Sequence, residues 1–116
     1  TLFRSVLVGD APKKVIVRGV GPGLAEAVDG YLADPQIHVH RLVSAEAGWS
    51  LVAENDDWDH TAETAALFQS AGMGELGSDS KDAALVLNLQ PGIYTAQISG
   101  VGGTTGIGLV EIYEAP

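Results

Sequence analysis

The sequence predicts an all-β protein, an antiparallel β-sandwich of the jelly-roll or Ig-like kind, with seven to eight strands and one short helix. Short apolar segments recur along the 116 residues, separated by turn signals that draw on 15 glycines and 5 prolines. Several segments alternate apolar and polar residues, which is typical of strands with one buried face. The length fits a single domain spanning residues 1–116, without an internal repeat or a linker.

Turn signals divide the chain into its predicted elements. The predicted strands are residues 2–8, 14–20, 36–42, 49–54, 83–89, 93–99 and 107–114. Gly9-Asp10-Ala11-Pro12 separates the first two strands, and the glycine-rich run 19–23 ends the second. A short helical turn over 24–31 precedes Asp34-Pro35 and the third strand, and Gly48 breaks the chain before the fourth.

Residues 61–71 form the one segment with a helical pattern. Thr61 is a suitable N-cap, the alanines and Leu67 give a small apolar face, and Gly72 ends the helix. A glycine- and serine-rich loop follows and leads to the fifth strand.

The later strands show the clearest patterns. Gln90-Pro91-Gly92 places proline and glycine where a tight turn needs them, between the fifth and sixth strands. Tyr94, Ala96 and Ile98 alternate with polar residues, so the sixth strand should bury one face. Residues 83–89 are apolar on both faces, which predicts a central strand.

Composition excludes several classes of function. The absence of cysteine excludes disulfides, thiol catalysis and thiolate metal sites. A net charge of −9 argues against binding to nucleic-acid phosphates or anionic lipids. No apolar run approaches the roughly 20 residues of a membrane-spanning helix, so we expect a soluble piece without membrane insertion. Because residue 1 is threonine and not methionine, we expect a processed product or an excised domain.

The charges are unevenly distributed along the chain. Residues 1–43 carry five basic and four acidic side chains, whereas residues 44–116 carry one basic and eleven acidic side chains. This pattern predicts a solvated acidic face that keeps the protein dispersed. Two alternatives are a cation-binding end, and head-to-tail contact of the acidic part with the region of Lys13, Lys14 and Arg18.

The main candidate site is the acidic hexapeptide, residues 54–59, which follows an apolar run expected to belong to a central strand. The candidate calcium ligands are Asn55, Asp56, Asp57 and Asp59, with Asp79 and Asp82 of the later acidic loop as further candidates if the fold brings the two loops together. Calcium prefers six to eight oxygen ligands, and Asp and Asn supply them with little steric demand. The alternative is an Asx-turn, in which Asn55 or Asp57 bonds the local backbone while Trp58 packs inward.

The remaining candidate sites are better explained as structure. The run 19–23 lacks the third glycine of a dinucleotide-binding loop and is followed by no βαβ series, so a turn is expected. His38 and His40 share one strand face and could bind zinc or copper, although exposed strand histidines are commoner. Trp49 and Trp58 could form a sugar-stacking platform. No nucleophile elbow and no carboxylate pair in an apolar pocket is present, so no catalytic residue is predicted.

The chain resembles, in order, the signature of a domain common in large exported bacterial proteins. Residues 12–25 (PKKVIVRGVGPGLA) are similar to its KKVLIRAVGPSLA step, with Gly23 where the signature has serine. The later matches are residues 32–35 (LADP), 54–58 (ENDDW), 80–85 (SKDAAL), 89–96 (LQPGIYTA) and 106–113 (GIGLVEIY). The plan is also similar to bacterial pre-peptidase C-terminal domains, secreted β-sandwiches that accompany enzymes and adhesins, some of which bind calcium.

This resemblance implies an extracellular or cell-surface location and a non-catalytic, architectural role, and it carries no ligand residues. We therefore expect a structural building block of a surface layer, filament or multidomain adhesin. Its partners would be other copies of itself or neighbouring domains of a larger exported protein.

The expected assembly strand is the first, residues 2–8, because an edge strand can pair with a neighbour and a terminal strand is exchanged at low cost. Its apolar residues are Leu2, Phe3, Val6, Leu7 and Val8. The alternative function is a calcium-dependent ligand- or carbohydrate-binding module that accompanies a secreted enzyme.

Overall fold

The computed structural model describes the backbone of residues 2–115 and the side chains of residues 8–115. In chain order its elements are β1 (Leu2–Val8), β2 (Lys13–Val20), β3 (Pro35–Ser44), β4 (Gly48–Asn55), α1 (Ala62–Ser70), β5 (Ala83–Leu89), β6 (Gly92–Gly100) and β7 (Leu109–Glu114), with 3₁₀ turns at Pro22–Leu24 and Val101–Gly103. The predicted all-β class with one short helix is confirmed. Within the described backbone, no helix is long and apolar enough to cross a membrane.

The strands form two antiparallel sheets that pack face to face. Sheet A has the order β1-β6-β3-β4, and sheet B has the order β5-β2-β7. Every neighbouring pair within each sheet is antiparallel. The edges are therefore β1 and β4 in sheet A, and β5 and β7 in sheet B.

The main core lies between the two sheets. Because successive side chains of a strand point to opposite faces, alternate residues of each strand enter it. Sheet A contributes Ile37, Val39, Tyr94, Ala96 and Ile98, and sheet B contributes Val15, Val17, Ala83, Leu89 and Val110. The alternation predicted for β6 from the sequence is thus confirmed.

A second apolar cluster covers the outer face of sheet B. It joins Ile16, Val20 and Ala84 of the sheet to Trp58, Phe68, Met73 and Leu76. We call residues 56–82 the cap segment, because this stretch, which contains α1, lies over sheet B. Strand β2 is consequently buried on both faces from Val15 to Val20.

Two strands expected to be central lie at sheet edges instead. Strand β5 is an edge of sheet B, and β4 is an edge of sheet A. The outer face of β5 is apolar although no strand lies beside it. Ala84 on that face is covered by the cap segment, while Val86 remains 37% exposed. Apolar residues on both faces of a strand indicate that both faces are buried, but they do not indicate its place in the sheet. An edge strand that is covered by another layer has the same sequence pattern as a central strand.

Candidate functional site

The acidic hexapeptide connects the end of β4 to the start of α1. Asn55 closes β4, and its Oδ1 accepts a hydrogen bond of 3.1 Å from the backbone N–H of Ala84 in β5. This bond joins an edge of sheet A to sheet B. Asp56 and Asp57, which follow, are exposed to solvent.

Trp58 anchors the cap segment to the rest of the molecule. Its side chain is 3% exposed and its ring lies 5.4 Å from that of Phe68, centroid to centroid. Its backbone N–H donates to the carbonyl oxygen of Asp82 at 2.9 Å. A buried indole cannot stack on a sugar, so the expected platform of Trp49 and Trp58 does not form. Trp49 instead lies on β4 and is 48% exposed.

Asp59 forms the Asx-turn that was expected at Asn55 or Asp57. Its Oδ1 accepts from the backbone N–H of Thr61 at 3.0 Å, and its Oδ2 accepts from the Thr64 hydroxyl at 2.7 Å. Thr61 is the N-cap of α1, as predicted, because its hydroxyl accepts from the Thr64 N–H. The hydrogen bond from the Thr61 backbone, assisted by the two threonine hydroxyls and by His60, lowers the pKa of Asp59 below its ordinary value, against a smaller opposing effect of burial.

Asp82 belongs to the interior and not to a surface loop that could bind calcium. Its side chain is 0% exposed, and its Oδ1 accepts from the backbone N–H groups of Gly21 and Gly23 at 2.7 and 3.2 Å. These amides belong to the glycine-rich run, residues 19–23, that was compared with a dinucleotide-binding loop. The protein's own carboxylate occupies them, which agrees with the structural turn expected there.

The predicted calcium ligands are therefore divided among different tasks. Asn55 and Asp82 bind backbone amides, Asp59 belongs to the start of α1, and Asp79 is exposed in the loop that follows α1. Among the described residues, no group of three or more His, Cys, Asp or Glu is placed to hold a metal ion. Calcium binding at this loop stays a prediction.

The histidine pair lies on the outer face of sheet A. His38 Nε2 lies 3.1 Å from Glu54 Oε2 on the neighbouring strand β4, and His40 follows two residues later on the same face. The side chain of Glu54 is 62% exposed, so this contact adds little to stability.

Arg18 does not contribute to a basic surface, contrary to the expectation from its sequence neighbourhood. It is 3% exposed and donates to Glu111 Oε1 at 2.7 Å and to the Gly74 carbonyl oxygen at 2.6 Å. Its guanidinium also lies 4.9 Å from the ring centroid of Phe68. Arg18 therefore ties the cap segment to β2 and β7.

Strand β1 is held on one side only. Its backbone pairs with β6 over seven residues, from Leu2 opposite Ile98 to Val8 opposite Gly92. Its other edge has no strand partner within residues 2–115. An exposed link, residues 9–12, leads from β1 to β2 and thus from sheet A to sheet B.

Strand β4 is the second free edge of sheet A, and the sequence did not indicate it. Trp49, Leu51 and Val52 are 48%, 48% and 47% exposed, although they are large and apolar. Single exposed apolar residues are common, whereas adjacent ones can mark an interaction surface. The edge strand β7 of sheet B carries two, Leu109 and Tyr113, at 45% and 40%.

Comparison with known proteins gives no relative of this chain: no family model, no curated protein and no solved structure matches it.

Proposed function

We propose that this chain is a non-catalytic structural module that joins other copies of itself, or neighbouring domains of a larger exported protein, through strand β1. The supporting observation is the one-sided pairing of β1, which leaves a row of backbone N–H and C=O groups along its outer edge. Such groups can pair with a strand of another molecule.

The sequence of β1 lacks the features that usually protect a free edge. Natural edge strands are shortened, bent by bulges, or supplied with proline and several charges. Strand β1 has seven residues, LFRSVLV, with one charge and no proline, and its register with β6 is continuous. An unprotected edge of this length favours association over a purely monomeric role.

The extracellular or cell-surface location belongs to the same proposal and rests on the resemblance to exported bacterial domains. The alternative of a calcium-dependent binding module has less support, because the candidate ligands that the structure describes lie in separate hydrogen-bond networks or singly in solvent.

A pair of proline variants in β1 tests the proposal with the full chain. Successive residues of a strand direct their N–H groups to opposite sides, so Ser5→Pro and Val6→Pro remove one inward and one outward donor. The variant that loses the inward donor should melt at a lower temperature, because it loses a bond to β6. The other variant should keep the melting temperature and lose association, as measured by light scattering.

Wild-type association in the variant that keeps its melting temperature would overturn pairing through the outer edge of β1. Association of both variants at the wild-type level would overturn any role of β1. Deletion of residues 2–8 is the coarser form of the test and should leave monomers.

A further inference from the structure

We infer that the acceptor for β1 is the free edge of β4 in a second copy of the chain, so that sheet A continues from one molecule into the next. This inference rests on the proposed function, because it names the partner surface of β1. Three features of sheet A support it: the directions of its strands, the residues that lie opposite one another across it, and its exposed side chains.

Strand direction makes the two edges of sheet A complementary. Each neighbouring pair in the order β1-β6-β3-β4 is antiparallel, so β1 and β4 run in opposite directions. A second copy displaced sideways without inversion therefore brings its β1 antiparallel to β4. In sheet B, β5 and β7 run in the same direction, because both are antiparallel to β2. The same displacement there gives parallel pairing, which is slightly less stable per residue.

The row alignment of sheet A matches the ends of the two strands. The pairing register places Leu2, Ile98, Ile37 and Asn55 in one row across the sheet. A sideways displacement along such rows brings Asn55 opposite Leu2 of the next copy. Strand β4 has eight residues and β1 has seven, so their lengths match to within one residue. The rows are regular from Asn55 to Ala53 and resume at Leu51, because the register of β4 with β3 shifts between Val39 and His40 and leaves Val52 without a partner in β3.

The side chains of β4 favour a partner of this kind. Trp49, Leu51 and Val52 are each about half exposed and would lose water on pairing, which is favourable at roughly 25 cal/mol per Å² of apolar surface.

The contact between β4 and β1 of the next copy can repeat without limit. It uses two different surfaces of one molecule, so each added copy presents a new β4 edge, and such heterologous contacts extend into filaments unless the rotation closes a ring. Sheet twist would rotate successive copies and make the filament helical. Exchange of β1 would behave differently. The link from Val8 to Lys13 spans at most roughly 18 Å, so two molecules that exchange β1 must lie with their β1–β2 links close together. This arrangement favours a closed dimer over a filament.

Matched lysine substitutions at the two sheet edges test the inference. Val52→Lys charges the edge of sheet A, and Val86→Lys makes the same change on β5 at the edge of sheet B. Both side chains are exposed, at 47% and 37%, so neither variant should lose its fold. Edge lysines block strand addition. We expect Val52→Lys to reduce the mean mass of the assemblies severalfold, toward 12.0 kDa, and Val86→Lys to leave it unchanged.

A mixing experiment separates this contact from a symmetric pairing of β4 with β4. Val52→Lys copies keep β1, so they can join a growing end but offer no acceptor. A small fraction of them added to wild-type protein should therefore shorten the assemblies in light scattering and electron micrographs. A symmetric contact would exclude them and leave the length unchanged, which would overturn the inference.

The outcomes also separate this inference from the proposed function. Wild-type association of Val52→Lys, together with loss of association in the outward β1 proline variant, would overturn the β4 acceptor and leave assembly through β1 standing. Loss of association in Val86→Lys alone would also overturn it. Loss of association only in the proline variant that disturbs pairing with β6 would indicate exchange of β1 and overturn edge pairing.

Discussion

Asp82 fixes the conformation of the turn that follows β2. This fully buried side chain loses its hydration, and its Oδ1 accepts from the backbone N–H groups of Gly21 and Gly23 in exchange. Its Oδ2 is also buried and has no hydrogen-bond partner among the described residues. The turn itself requires glycine at position 21, because a Cβ there would lie 1.9 Å from the carbonyl oxygen of Leu32. The side chain thus links the start of β5 to the turn after β2.

Removal of this carboxylate should destabilise the protein. We expect Asp82→Ala to lower the free energy of unfolding by about 2 kcal/mol, because the buried N–H of Gly21 and the partly buried N–H of Gly23 lose their acceptor. Asp82→Asn keeps one acceptor oxygen and should cost less. Urea denaturation measures both values, and equal stability of Asp82→Ala and wild type would show that the contact has no energetic role.

At the residue scale, sequence reasoning identified positions with local partners. Thr61 could be predicted as an N-cap and Trp58 as an anchor, because their signals lie within a few residues of each other. Asp82 and Arg18 could not be assigned, since their partners lie far along the chain, 61 residues away for Gly21 and 93 for Glu111. Only the fold brings such groups together.

At the scale of elements, Asp59 and Thr61 together determine where α1 begins. The Asp59 carboxylate accepts from Thr61 and Thr64, and its negative charge lies near the positive end of the helix dipole. The ionised form is therefore favoured in the folded protein, which is why the pKa of Asp59 lies below its ordinary value.

This lowered pKa predicts an acid-dependent loss of stability. Because the pKa is lower in the folded than in the unfolded state, the contribution is complete above the ordinary aspartate value, about 3.8, and is lost as the pH falls through the lower folded value. Asp59→Asn should remove this part of the pH dependence of the melting temperature below about pH 4.

Asp57→Asn is the matched control, since Asp57 is an exposed carboxylate of the same loop. If Asp57→Asn and Asp59→Asn had the same melting curves from pH 2 to pH 5, the role of Asp59 at the start of α1 would be wrong.

Strand existence could be predicted from the sequence, whereas strand order could not. Turn signals such as Gln90-Pro91-Gly92 gave bounds within two residues of those observed, because turns are local. The position of β5 at an edge was missed, since the cap segment buries Ala84 on the outer face of this edge strand. Pairing over long separations determines order, and it leaves no local pattern.

At the scale of the whole molecule, sheet A covers the inner face of sheet B, the cap segment covers the middle of its outer face, and β1 and β4 are the edges of sheet A among residues 2–115. One edge, β1, was expected from the sequence as an assembly strand. The other, β4, became recognisable only when the strand order showed that Trp49, Leu51 and Val52 lie beside no further strand of the described chain. An even number of alternating strands makes these edges complementary.

Sedimentation equilibrium of the unmodified chain over a wide concentration range tests self-association most directly. We predict a mean mass that rises above the 12.0 kDa of one copy and keeps rising with concentration, because each copy added at an open edge leaves another edge free. A mass that stays at 12.0 kDa at every concentration would contradict association between copies, and a mass that stops at twice that value would contradict the open contact between β4 and β1.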